Sequence, residues 1–182
     1  SGKTTQIHRL YDRLVAAGYA PLLTREPGGT PIGDQIRDVL HSLANDDMVD
    51  TTEILLYSAS RAQLVAQVIR PALDKGRLVL CDRYADSTMA YQGYGRRLDL
   101  DALRVITQFA TGGLRPDLTI LLDVDVQIGL GRKQAAEEWN RMDQQAIGFH
   151  QRTRAGYLAL ASVEPNRWIT VDASGPVPHV AE

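Results

Sequence analysis

Ser1-Gly2-Lys3-Thr4-Thr5 opens the chain, and its reading decides the fold. These residues match the close of a phosphate-binding loop, G-x-x-x-x-G-K-[ST]. In such a loop the backbone N–H groups after Gly2 face a phosphate, Lys3 supplies a point charge, and Thr4 offers a hydroxyl to magnesium. A helix is expected to start at once, its positive end toward the anion. The first glycine of the motif, and a strand before it, are expected to precede Ser1. The plain alternative is a basic helix start at a ragged terminus, so the rest of the chain has to decide.

Working outward, Ile7, Leu10, Tyr11, Leu14 and Val15 recur at the spacing of one helix face, and Gly18 is the expected stop. Ala20 to Leu23 reads as a strand running into Thr24-Arg25-Glu26-Pro27-Gly28-Gly29, a loop by its proline and glycines. Ile36, Val39, Leu40 and Leu43 give a second helical stripe. Asp50 with Glu53 reads as a helix cap, and the helix from Thr51 carries Ile54, Leu55, Leu64, Val65 and Val68 up to Pro71, which either kinks it or begins a following turn of helix. Leu78-Val79-Leu80-Cys81 is a continuous apolar strand, ending in Asp82-Arg83-Tyr84.

A short helix is expected around Thr88 to Gln92. Another carries Leu103, Ile106, Phe109 and Ala110. Leu118 to Leu122 is a strand ending in Asp123. The helix from Ile128 and Arg132 turns polar through Glu137, Glu138 and Asn140, which predicts an exposed, movable segment at about 132–145. A long helix resumes near Ala146, Trp168 to Val171 is the last strand, and no element is expected after Ser174. Strands and helices alternate with no repeat or linker, which predicts one α/β domain over 1–182 with a mostly parallel sheet. Ligands in such sheets sit beyond the carboxyl ends of the strands, where the opening motif, Arg25-Glu26 and Asp82-Arg83 all fall.

Composition narrows the function. A formal net charge of −2 leaves no excess of Lys and Arg to neutralise a nucleic-acid backbone. Cys81 is the only cysteine, so no intrachain disulfide can form and a reducing compartment is expected. No apolar run is long enough to span a bilayer and no signal peptide precedes the motif, so a cytoplasmic protein with no membrane partner is expected. His8, His41, His150 and His179 have neither metal-ligand spacing nor a paired nucleophile.

Several side chains point to chemistry. Asp82 closes a buried strand, where either a magnesium shell opposite Thr4 or a turn cap would use a carboxylate. Arg83 offers a planar donor fork to phosphate oxygens. Arg37 lies near the start of a helix after a glycine loop, a fitting place to meet an anion. Tyr57 and Arg61, four apart, share a helix face, either as a ring and an edge donor for a base or as core and surface residues. Ser87, Thr88, Tyr91 and Gln92 group hydroxyl, ring and amide near Arg83, either for a sugar or for the loop's own backbone.

Taken together, these runs resemble the bacterial-type thymidylate kinases. The resemblance is carried by Ser1 to Thr5, Thr24-Arg25-Glu26-Pro27-Gly28-Gly29-Thr30, Arg61-Ala62-Gln63-Leu64, Asp82-Arg83-Tyr84 with Ser87, and Ala90-Tyr91-Gln92-Gly93. Arg115-Pro116-Asp117-Leu118-Thr119, Leu122-Asp123-Val124 and Arg152-Thr153-Arg154-Ala155-Gly156-Tyr157 extend it over essentially the whole chain. It implies a P-loop three-layer α/β/α fold whose five-stranded sheet includes the strand before Ser1, and a last helix beyond this chain. It implies transfer of the γ-phosphoryl group of ATP to dTMP, with Mg2+, in dTTP biosynthesis, by a homodimer. Ser1, Gly2, Lys3, Thr4 and Thr5 would hold ATP, and Thr4 and Asp82 the metal. Arg83 and Arg37 would grip the dTMP phosphate with Glu26 nearby. Tyr57 would stack on thymine, Arg61 and Thr88 would read its edges, and Tyr91 with Gln92 and Ser87 would line the sugar. Lys3, Arg83 and a lid cation, Arg132 or Arg141 or in part Lys133, would be catalytic. The lid departs from relatives, with Gln134 and Ala136 where further arginines are expected. The competing readings are a P-loop kinase for another base and a non-catalytic nucleotide-binding protein.

Overall fold

The computed structural model describes residues 2–135 and 139–180. Ser1 of the phosphate-binding motif and Ala136, Glu137 and Glu138 of the polar segment lie outside the described residues. Four parallel strands are present: β1 (Leu22–Arg25), β2 (Val79–Asp82), β3 (Thr119–Asp123) and β4 (Trp168–Asp172). β1 pairs with β2, in register Leu22 to Val79 through Arg25 to Asp82, and β3 pairs with β4, Thr119 to Trp168 through Asp123 to Asp172. The expected mixed architecture is present, with the four strands in two pairs among the described residues.

Helix α1 (Lys3–Ala16) follows Gly2 directly, and Gly2 supplies the left-handed turn at its N-cap. Its predicted stripe is only half-buried, and Val15 is exposed. After β1, Thr30 caps α2 (Pro31–His41) by accepting from the Gly33 N–H, and Pro31 occupies the first turn, where its missing N–H costs nothing. Gly29 could not be another residue. It sits at φ +79, and a Cβ there would lie 2.6 Å from Thr24 Oγ1.

Helix α3 (Asp50–Leu64) runs through a π-helical segment (Val65–Ile69) into α4 (Arg70–Asp74). Pro71 does not break the run, because the wider π turn just before it absorbs the lost N–H. The expected cap role of Asp50 and Glu53 is not found. Val49 precedes the helix with no side-chain cap, and Glu53 is fully buried instead. After β2 come α5 (Ala85–Thr88) and a second π-helical segment (Met89–Gly95), which continue without interruption. Asp99 caps α6 (Leu100–Thr111) through two backbone N–H groups. On α6 Leu103 and Ala110 are buried as expected, but Phe109 is 90% exposed.

Helix α7 (Val126–Ala135) follows β3, α8 (Ile147–Val163) precedes β4, and a short α9 (Val177–Val180) forms where no element was expected. Gln6 Nε2 on α1 donates to the Val177 carbonyl, tying α9 to the first helix. One core cluster is Ile54, Met89 and Leu103, joining α3, the second π segment and α6. The other, Leu64, Val65 and Ile69, packs Val79 and Tyr84 beside β2. α8 packs along the second π segment, where Gly156 faces the Tyr94 ring so closely that a Cβ would lie 2.6 Å from it.

Candidate active site

Parallel pairing of Arg25 with Asp82 brings the ends of β1 and β2 to one edge, and the Glu26 N–H extends the ladder to the Asp82 carbonyl. The start of α1 meets that edge: Thr4 Oγ1 donates to Asp82 Oδ2 at 3.4 Å. Lys3, one residue earlier, has its pKa pulled from 10.5 down to about 7, first by the Arg83 charge and then by burial, with Asp82 opposing. Two cations gathered at the N-terminal end of a 14-residue helix make a strong anion site. A hydroxyl and a carboxylate oxygen adjacent to it are the hard donors magnesium takes together with phosphate oxygens, so Thr4 and Asp82 fit that ion.

Arg83 adopts φ 70°, the left-handed region that a non-glycine residue enters only when its surroundings enforce it. Its guanidinium donates to the Tyr91 hydroxyl at 3.2 Å and the Tyr157 hydroxyl at 3.5 Å, and lies 5.0 Å from the Tyr91 ring centre. Tyr157 in turn donates to Ser87 Oγ at 2.8 Å. Burial lowers the Arg83 pKa, but these hydroxyls and Asp82 outweigh it, so the group stays charged. Arg37 is half-buried and donates to the Pro27 carbonyl at 2.9 Å. Its pKa is lowered by burial and by Arg25, with Arg83 adding to the same effect and Tyr57 and Asp34 opposing it.

Behind these groups Arg61 is fully buried on α3. Its Nε and Nη2 form a bidentate pair with Glu26, at 2.7 Å for the shortest contact, and its Nη1 donates to Thr88 Oγ1 at 3.0 Å. Burial would lower the Arg61 pKa, but Glu26 more than offsets it, so the guanidinium is a fixed cation. Tyr57 lies one turn before it, its hydroxyl pKa raised by burial and then by Glu53. Tyr91 packs edge-on against Phe149 and Tyr157. The result is a cluster of rings around the Arg83 guanidinium, with the buried Arg61 guanidinium held by Glu26 and Thr88 behind it.

A family model described as thymidylate kinase matches residues 1–182. The chain belongs to the thymidylate kinase family. A thymidylate kinase from Roseiflexus castenholzii is 51% identical over 195 residues, covering 100% of this chain and 85% of the relative. One from Deinococcus radiodurans is 53% identical over 176 residues, covering 97% and 85%, and one from Syntrophotalea carbinolica 52% over 186, covering 99% and 86%.

Each of the two lid arginines already has protein partners. Arg132 donates to the carbonyls of Ala173 and Ser174, both at 2.7 Å, on the loop after β4. It lines a cavity of about 280 Å³ with Gly2, Gln6, Pro176 and Val177. Arg141 is buried rather than exposed, as are Met142 and Asp143. Its Nε donates to the Leu40 carbonyl at 3.0 Å and its Nη2 to Glu53 Oε2. The reason is charge: Glu53 has no solvent, and Arg141 joins Arg96 and Gln92 in satisfying it. Thr5 is exposed on the first turn of α1.

Sequence reasoning read Glu53 only as part of a helix cap, and passed over Arg96 and the role of Tyr157. One signal was present for Glu53: Glu53, Tyr57 and Arg61 are spaced by four, so all three share one face of α3. Tyr157 lies far along the chain from Ser87 and Arg83, and only the packing of α8 on the second π segment brings it there.

Proposed function

We propose that this chain transfers the γ-phosphoryl group of ATP to the phosphate of dTMP, giving dTDP and ADP. The observation that carries the reading is the meeting of the start of α1 with the paired ends of β1 and β2, where Thr4 reaches Asp82 and the next residue, Arg83, is held among the rings of Tyr91 and Tyr157. Gly2, Lys3, Thr4 and Thr5 hold the ATP phosphates, and Ser1 of the same motif lies outside the described residues. The cavity between Gly2, Arg132 and Val177 takes the far end of that nucleotide, its guanidinium and apolar wall suiting a planar base. Mg2+, held through Thr4 and Asp82, supplies charge neutralisation to the phosphates when bound.

On the acceptor side Arg83 and Arg37 hold the dTMP phosphate, with Glu26 keeping Arg61 in place. Tyr57 stacks on the base, Arg61 and Thr88 donate to its edges, and Tyr91, Gln92 and Ser87 border the sugar. Phosphoryl transfer passes through a loose in-line transition state, so positioning and cationic stabilisation do most of the work. No general base is needed, because the acceptor phosphate is already ionised near neutral pH. Charge building on the moving group meets Lys3 and Arg83, the latter held beforehand by Tyr91 and Tyr157.

The working protein is a homodimer in the cytoplasm. Val105 and Phe109 on α6 and Leu55 on α3, which packs against α6, are exposed apolar groups suited to meet a second copy. The substrate assignment is tested by ATP consumption with dTMP, dUMP, dGMP and thymidine, where dTMP turns over fastest. Faster turnover of thymidine would overturn it.

A further inference from the structure

Glu53 has no solvent exposure and touches no strand-end group, yet four charged or amide donors converge on it. Gln92 Nε2 and Arg96 Nε donate to Oε1, each at 2.8 Å, while Arg96 Nη2 at 2.8 Å and Arg141 Nη2 donate to Oε2. Burial pushes its pKa up, but the bonds from Arg96, Gln92 and Arg141 with the Arg96 charge outweigh that, so it is ionised. Ionic clusters of this kind are a poor source of stability, since a well-packed apolar residue commonly does as well. Its neighbours suggest another use.

Following the bonds outward gives two branches. One passes through Gln92 to the second π segment, whose Tyr91 sits under Arg83. The other passes through Arg141, whose backbone N–H and Nε hold the carbonyls of His41 and Leu40 at the end of α2, the helix that carries Arg37. Two residues on, Asp143 is fixed in a turn by the Asn140 N–H at 3.1 Å and takes the Lys133 ammonium at 2.5 Å. Lys133 stands in the last turn of α7, and the charges of Lys133 and Asp143 both act on Lys3, in opposite directions.

We propose that Glu53 is a positioning residue for the reaction: through Arg141 and Asp143 it sets Lys133 beside the transferring phosphate, and through Gln92 it sets the acceptor pocket. Lys133 is then the cation that α7 contributes: held by Asp143, its charge acts on Lys3, whereas Arg132 on the same helix donates to the carbonyls after β4. The inference rests on the kinase reading above. The test compares steady-state dTDP formation by wild type, Glu53→Gln, Arg141→Met, Lys133→Met and the double variant Arg141→Met/Lys133→Met, each well below its own unfolding temperature.

Arg141→Met and Lys133→Met should each lower kcat by at least about tenfold while KM for dTMP stays within about twofold. The double variant should be no more than about twofold slower than the slower single one, because both changes remove the same cation. Glu53→Gln turns one acceptor oxygen into a donor facing donors, and should lower kcat/KM for dTMP by about a hundredfold or more. If that variant does not fold, the Arg141 and Lys133 cycle decides. A folded Arg141→Met with wild-type kcat, or losses that multiply in the double variant, would overturn the role. A wild type that makes no dTDP overturns the reaction itself and the role with it, whereas an active wild type with unaffected variants overturns the role alone.

Discussion

Lys3 and Arg83 lie close enough that the Arg83 charge is the largest influence on the lysine, bringing its pKa to about 7. A bound phosphate reverses that influence and raises the pKa again, so binding takes up a proton when the free lysine is neutral. ATP affinity of the wild type should therefore fall from about pH 7 to about pH 8.5, by up to about tenfold per unit, while Lys3→Arg stays nearly flat. Titration calorimetry of both proteins at several pH values measures it. The Glu26–Arg61 pair, 4% and 2% exposed, makes a second expectation. Glu26→Gln strands a buried guanidinium and should cost about 3–5 kcal/mol of unfolding free energy, read from the urea midpoint. Single residues were unevenly legible in the sequence. Lys3, Asp82 and Arg83 could be read because each sits at an element end, where apolar packing gives way to polar chemistry. Glu53 could not, because a glutamate four residues into a helix looks the same whether it caps or is buried. Its partner Arg141 lies 88 residues away along the chain.

Among the elements, the fit of α8 against the second π segment does most to shape the acceptor pocket, since it brings Tyr157 to Arg83 and Phe149 to Tyr91. Gly156 sets how closely they approach. Gly156→Ala gains helix propensity of about 1 kcal/mol but drives a Cβ into the Tyr94 ring. The overpacking cost of about 1–3 kcal/mol should win, lowering the urea midpoint and raising KM for dTMP. A variant more stable than wild type would show that the ring moves freely. Strands and most helices were readable from apolar runs and 3.6-residue stripes, because those patterns reflect burial directly. The choice at Pro71 between a kink and a following turn of helix, and the helix after Ser174, were not. The first depends on a local π turn, and the second on one side-chain bond from Gln6, neither of which has a periodicity to reveal it.

At the scale of the molecule, α6 presents Val105 and Phe109 to solvent four residues apart, the second 90% exposed. Periodicity alone assigns Phe109 to the core, since a stripe facing a partner copy has the same spacing as one facing the interior. Phe109→Lys should shift the sedimentation profile from dimer to monomer at micromolar concentration with the monomer still folded by circular dichroism. A Phe109→Lys dimer would move the proposed contact off α6, and a wild type that sediments as a monomer would remove the proposed dimer. The central claim is that the edge of β1 and β2, with Arg83 at its centre, moves a phosphoryl group from ATP to dTMP. Rapid-quench single turnover with γ-labelled ATP and excess dTMP, on wild type and folded Arg83→Ala, tests it most directly. Label should appear in dTDP for the wild type, and the variant should be slower by about a thousandfold or more, the scale of losing an arginine that stabilises the transition state. Label released as free phosphate without dTDP, or a variant transferring at the wild-type rate, would contradict it.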